Sequence, residues 1–141
     1  MSELSNQHIG QLLRDAFARF EDELIAGTPP FGAFELRPTH NHVLRYLDRD
    51  GTRASVIAER SGLTRQAITM IVDELEVAGV VRREPDPEDG RAKRIVYTEA
   101  ALPAFDEGRV LIADIERRWK RRLGKERWAE LKEALGELAY R

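Results

Sequence analysis

The chain has 141 residues, 42% of them hydrophobic and 34% charged, with a formal net charge of −2 and no cysteine. That length is enough for one domain or a small helical assembly with a buried core, and no apolar run approaches the length of a membrane span. Lacking cysteine, the chain has no disulfide, thiol nucleophile or thiol redox switch; Met1-Ser2-Glu3-Leu4-Ser5 has neither the basic nor the apolar region of a signal peptide, so the expected location is the cytoplasm.

The first predicted element is a helix from Ser5 to Ala26. Ile9, Leu12, Leu13, Ala16, Phe17, Phe20 and Leu24 recur at helical spacing, with Ser5 placed to cap the helix and Gly27 to stop it. Thr28 to Pro38 then breaks any helix through its prolines and Gly32, leaving a connector whose Phe31 and Phe34 are expected to pack on neighbouring helices. Thr39 is predicted to cap a second helix, Thr39 to Asp50, with Val43, Leu44 and Leu47 inward and Gly51 at its end.

Ser55 to Arg60 reads as a shorter helix with Val56, Ile57 and Ala58 partly inward, followed by Ser61-Gly62-Leu63 and a helix from Thr64 to Ala78. Thr64 is a suitable N-cap, and Ile68, Ile71, Val72 and Leu75 form one face, leaving Arg65, Gln66, Thr69, Met70 and Asp73 on the other. Ala58 lets two helices approach closely, Gly62 suits the positive φ of a tight interhelical turn, and Ile68 packs back beneath the first helix. This is helix-turn-helix spacing. Gly79 can terminate the second helix, and two short β-prone runs, Val80 to Glu84 and Arg94 to Thr98, flank the Pro/Asp/Gly turn segment Pro85 to Lys93. A hairpin directly behind a helix-turn-helix is the wing of a winged helix. Leu102, Phe105, Ile112, Ile115, Trp119 and Leu123 then mark a long helix, and Lys125 to Tyr140 a last one with Trp128, Leu131, Leu135 and Leu138.

The fold class expected from this order is mainly α with a small β-hairpin: a winged helix-turn-helix flanked by N- and C-terminal helices. Net charge argues weakly against nucleic acid, but distribution matters more than the sum. Arg82, Arg83, Arg91, Lys93 and Arg94 crowd onto the hairpin, while Glu21, Asp22, Glu23, Glu130, Glu133 and Glu137 lie in terminal helices. Arg65 and Gln66 occupy the first turn of the second helix, the part that points into a major groove when such a helix docks. There Arg reads guanine and Gln reads adenine through paired hydrogen bonds. Thr69 and Met70, one turn on, are placed to meet a thymine methyl or a phosphate. Lys93 and Arg94 are expected phosphate contacts, adding affinity and little sequence information. Arg83 is a further candidate for DNA, although Asp73, which would repel phosphate, is expected to pair with Arg82 or Arg83. The basic run Arg117-Arg118-Trp119-Lys120-Arg121-Arg122 splays around most of a helix and reads as a solvated face with Trp119 inward.

The histidines are His8, His40 and His42, and a two-residue separation suits a shared metal poorly, although a zinc site of His42, His8 and a carboxylate is conceivable. No phosphate-binding glycine loop, nucleophile–base motif or metal signature is present, so neither an enzyme nor a cofactor is expected.

The chain resembles the MarR family of transcriptional regulators. Ile57-Ala58-Glu59-Arg60-Ser61-Gly62-Leu63-Thr64, Ile71-Val72-Asp73-Glu74-Leu75-Glu76, Ala78-Gly79-Val80-Val81-Arg82-Arg83 and Asp86-Pro87-Glu88-Asp89-Gly90-Arg91-Ala92-Lys93 stand in the family's order and spacing. The sharp match runs from Tyr46 to Thr98. Gly90 departs from it where many members carry a second basic residue, and Ala101-Leu102-Pro103 replaces the usual start of the following helix. The resemblance implies that residues 38–98 bind DNA and that 1–37 and 99–141 form helical dimerisation regions. It implies a homodimer on a pseudo-palindromic duplex, with Arg91 reaching into the minor groove while Asp89 holds it, and a repressor released by a small, often aromatic ligand. Phe31, Phe34, His40 and Tyr46 are candidates for lining that ligand's crevice, or are ordinary packing. The rival from another class is a winged helix used for protein–protein contact without DNA.

Overall fold

The computed structural model describes residues 6–141. Its elements in order are α1 (Ile9–Gly27), α2 (Pro38–Leu44), β1 (Thr52–Arg53), α3 (Ala54–Ser61), α4 (Arg65–Val77), β2 (Val81–Pro85), β3 (Lys93–Tyr97), α5 (Leu102–Leu123) and α6 (Lys125–Tyr140). The mainly helical class with a small antiparallel sheet is as expected. The helices agree with the sequence reading to within a few residues, except at α2 and at the start of α1. The cap expected at Ser5 lies outside the described residues. α1 starts at Ile9, behind a turn in which the Gln11 N–H donates to Nδ1 of His8 at 3.2 Å.

Two compact units are distinguishable. One comprises Ile25–Gly108. In it Val43, Leu47, Ile57, Ile68, Ile71, Val72, Leu75, Val80, Val81, Ile95, Tyr97 and Ala101 form one buried cluster, with Phe31, Phe34, Leu44, Tyr46 and Phe105 packed against it. The apolar face expected for α4 therefore supplies four of these core side chains. α2 is shorter than expected. Pro38 rather than Thr39 opens it, because the proline's missing N–H and fixed φ suit a first helical position, and Arg37 is the N-cap. Its end tightens into 3-residue turns, with Tyr46 N–H on Val43 O and Leu47 N–H on Leu44 O.

Two-residue β1 was not anticipated. It pairs antiparallel with β3, Thr52 opposite Ile95 and Arg53 opposite Arg94, and β3 pairs with β2, Val81 opposite Tyr97 through Pro85 opposite Lys93. The sheet order is β1-β3-β2, so the hairpin is stitched to the chain just ahead of α3. Gly51, at φ +103°, makes the approach feasible: a Cβ there would lie 2.6 Å from Val96 Cγ1. At the other end the Thr98 hydroxyl donates to Gly79 O at 2.6 Å, tying the close of β3 to the close of α4.

The second unit comprises the chain up to Leu24 together with Arg109–Arg141. Phe20 meets Trp119 edge to face at 5.8 Å, the Trp119 indole N–H donates to Glu23 at 2.9 Å, and Ile115 is fully buried. Trp119 thus points inward, and Arg117, Arg118, Lys120, Arg121 and Arg122 around it are exposed. Ile9, Leu13, Phe17, Val110, Ile112, Leu131, Leu135 and Leu138 remain exposed on α1, α5 and α6.

Leu75 is fully buried at the centre of the winged-helix core. Leu75→Ala should lower unfolding free energy by about 2–5 kcal/mol, read from urea denaturation followed by circular dichroism. A loss under ~1 kcal/mol would show that this core is not what holds α4.

Candidate nucleic-acid interface

The turn between α3 and α4 has the geometry its sequence implies. Gly62 ends α3 in the left-handed region, its N–H donating to Ala58 O, and the Leu63 N–H donates to the Ser61 hydroxyl at 3.2 Å. Thr64 is the N-cap of α4, its hydroxyl accepting from the Ala67 N–H at 3.1 Å. With Ile68, Ile71, Val72 and Leu75 turned into the core, Thr64, Arg65, Gln66, Thr69 and Met70 are all exposed on the other side. Neither Arg65 nor Gln66 has a side-chain partner among the described residues. The Thr69 hydroxyl donates back to Arg65 O at 2.9 Å, which leaves its methyl group and lone pairs for an external contact.

The back of α4 is held by α2. His40 is buried, its Nδ1 accepts the Arg37 N–H at 3.1 Å, and its Nε2 lies 2.8 Å from Glu74, which also takes an Arg37 guanidinium N–H at 3.2 Å. An acceptor role at Nδ1 places the ring proton on Nε2, directed at the Glu74 carboxylate. Both nitrogens are therefore occupied within the chain, which removes His40 from any metal set. Among the described residues, no group of three or more His, Asp or Glu side chains is arranged to hold an ion. The Phe34 ring lies 4.7 Å from that of His40, and Phe31, Phe34 and Tyr46 pack on the core.

On the wing the cations divide into two kinds. Arg83 is engaged: it pairs with Asp73 at 2.7 Å and Glu76 at 3.0 Å, and Asp73 finds the partner expected for it. Arg94, expected at a phosphate, lies half-buried with its guanidinium on Glu84 at 2.6 Å, and Arg82 pairs with the same carboxylate at 3.2 Å. The Arg94 and Arg82 guanidiniums hold the Glu84 carboxyl below the usual carboxylate range, Arg94 having the larger effect. Arg91 and Lys93 are the other kind: exposed, with no side-chain partner among the described residues. Asp89 does sit beneath Arg91, but through the backbone, its Oδ1 accepting the Arg91 N–H at 3.1 Å. The acid shapes the turn, and the guanidinium stays free.

One anchor escaped the sequence reading. Asp86, buried at the base of the wing tip, accepts from Arg53 Nε at 2.7 Å and from the Glu88 and Asp89 N–H groups at 2.8 and 3.3 Å. Its own N–H donates to Ala92 O, closing the tip. The Arg53 hydrogen bond, then the Glu88 N–H, pulls the Asp86 carboxyl down to about 2. Only the Pro85-Asp86-Pro87 punctuation hinted at a turn here. The partner, 33 positions earlier on β1, had no local signal.

The model of the MarR family matches residues 35–92. Among solved structures, CouR from Rhodococcus jostii RHA1 bound to p-coumaroyl-CoA is 26% identical, with 99% of this chain and 96% of that one covered at a TM-score of 0.75. The transcriptional repressor CouR bound to a 23-mer DNA duplex is 25% identical with the same coverage and a TM-score of 0.76. A MarR-family transcriptional regulator from Rhodococcus sp. RHA1 is 25% identical over 94% of this chain and 92% of that one, at a TM-score of 0.73. No curated protein sequence matches the chain.

Because the folded state lowers the Asp86 value from 3.8 to about 2, its stabilisation is complete above pH 3.8 and disappears as pH falls through about 2. Asp86→Asn should therefore melt below the native protein at neutral pH, and the two thermal midpoints should converge as the solution is acidified through that window. A gap that stays constant with pH would remove the carboxylate from this role.

Proposed function

We propose that this chain is a MarR-family winged-helix regulator that binds DNA and that it works as a homodimeric, sequence-specific repressor in the cytoplasm, released from its operator by a small aromatic effector. Residues 38–98 read DNA, and residues 1–37 and 99–141 carry the dimer. The observation that carries this reading is the pairing of a threonine-capped helix whose polar face is exposed with a wing whose Arg91 and Lys93 are unpartnered in the chain. Those are the donors a duplex needs and a self-contained domain does not.

The roles follow from chemistry. Arg65 and Gln66 enter the major groove, Arg reaching guanine O6 and N7 or Gln reaching adenine N6 and N7, each such pair contributing about 1–3 kcal/mol of base discrimination. Thr69 and Met70 line the same groove wall. Arg91, at the end of a rigid Asp86–Asp89 turn, enters the adjacent minor groove, where a narrow A·T-rich stretch concentrates negative potential. Lys93 neutralises phosphate. Two such heads on a two-fold axis meet half-sites about 34 Å apart, which requires a pseudo-palindromic operator.

Support for the dimer comes from the apolar side chains exposed on α1, α5 and α6. Support for repression and for an aromatic effector comes from CouR, described as a transcriptional repressor and solved with p-coumaroyl-CoA. An effector that prefers a conformer fitting the operator poorly releases the DNA by mass action.

The test is binding to the chain's own upstream region across a range of salt. Affinity should fall steeply as salt rises, and Arg91→Ala should reduce the slope of log K against log salt by about 1. A flat, sequence-blind response would instead make the winged helix a protein-docking module.

A further inference from the structure

We infer that Arg83 is a positioning residue that braces the wing against the reading helix, and that it makes no contact with DNA; the inference rests on the DNA-reading function proposed above. Three observations carry it. First, the guanidinium is already fully directed: Nη1 donates to Glu76 Oε1 at 3.0 Å, and Nη2 to Asp73 Oδ1 at 2.7 Å and to Thr69 O at 3.4 Å. A planar fork meeting two carboxylates and a carbonyl is a rigid joint rather than a mobile surface charge. Second, the backbone of the same residue takes part. Arg83 lies opposite Ile95 in the hairpin ladder, and β2 is an edge strand, so its N–H is turned away from β3 and donates to Glu76 Oε2 at 3.0 Å. Glu76 thereby closes the exposed edge and grips both the main chain and the side chain of one residue.

Third, the charges sit where their neutralisation matters. Arg65, Thr69, Asp73 and Glu76 follow one another at four-, four- and three-residue spacing, so the two acids continue the exposed strip that begins with the reading residues. Unpaired, that strip would face a phosphate backbone with two negative charges. If Arg83 left them for a phosphate, one favourable contact would be gained and two acids would be stranded beside a polyanion. The arrangement that keeps both is the one present: the arginine spans ten and seven positions of sequence to Asp73 and Glu76 and locks the angle between α4 and β2. A protein that reads two adjacent grooves with two elements depends on that angle.

The experiment uses full-length protein and a duplex selected from a random-sequence pool by the native chain, with affinity measured by fluorescence anisotropy over a series of salt concentrations. The double variant Asp73→Asn, Glu76→Gln removes two negative charges from the DNA-facing strip and frees Arg83. A brace predicts binding weakened by roughly tenfold, with reduced preference over scrambled duplex. A phosphate-contacting Arg83 predicts binding equal to or tighter than native. Arg83→Ala should weaken binding to a similar extent while leaving the salt slope at its native value, whereas loss of a phosphate contact lowers that slope by about 1. Arg83→Lys, which keeps the charge and loses the fork, should not restore affinity. Tighter binding by the double variant, a reduced slope for Arg83→Ala, or rescue by lysine would each overturn the inference while leaving the DNA-reading function standing. Failure of the native chain to select any duplex would overturn both. Should Arg83→Ala not fold, the double variant, which keeps the arginine, decides alone.

Discussion

Everything at the candidate interface depends on one face of one helix being buried. Ile68, Ile71, Val72 and Leu75 are buried in the core, while Gln66 lies across the helix from them and Arg65, in the first turn, stands exposed at its edge. Apolar burial of those four side chains, each contributing about 1.5–3 kcal/mol relative to exposure, therefore selects the outward set. The polar face is presented as a consequence of the core, with no separate force acting on it. The Thr64 cap and the positive φ of Gly62 then set where that face begins.

The second organising principle is the sorting of arginines. A chain of net charge −2 holds a polyanion only where acids have been answered locally. Here Arg53 answers Asp86, Arg83 answers Asp73 and Glu76, and Arg82 with Arg94 answers Glu84. What remains outward is Arg65 on the helix with Arg91 and Lys93 on the wing. In the function proposed above, the engaged arginines supply geometry and the free ones supply attraction. A count of basic residues on the hairpin merges two kinds: Arg83 and Arg94 are paired with acids of the chain, and Arg91 and Lys93 have no side-chain partner among the described residues. The protein-docking alternative would need no such unpaired cations beside a capped helix.

The unit formed by the chain termini has a different character. In it Ile115 is buried and Trp119 is bracketed by Phe20 and Glu23, while Ile9, Leu13, Phe17, Val110, Ile112, Leu131, Leu135 and Leu138 are exposed. Those exposed apolar side chains are what the proposed homodimer would cover.

Much of the fold was legible in the chain because it is dictated by short-range physics. The apolar stripe of α4, the Thr64 cap, the Gly62 and Gly79 stops, the Pro/Asp/Gly tip and the limits of α6 follow from periodicity and backbone preference within a few residues. So did the exposure of Gln66, which lies across the helix from that stripe, and of Arg65 in the first turn. Tertiary structure alone decided what depends on residues far apart in sequence: that Thr52 and Arg53 would add a third strand, that Pro38 and not Thr39 would open α2, that Asp86 would be anchored by Arg53, and that His40 would be spent on Glu74. Above all it decided which arginines stay free. Whether a charge is available is a property of the partner within about 3 Å of it, and no local pattern in a sequence carries that distance.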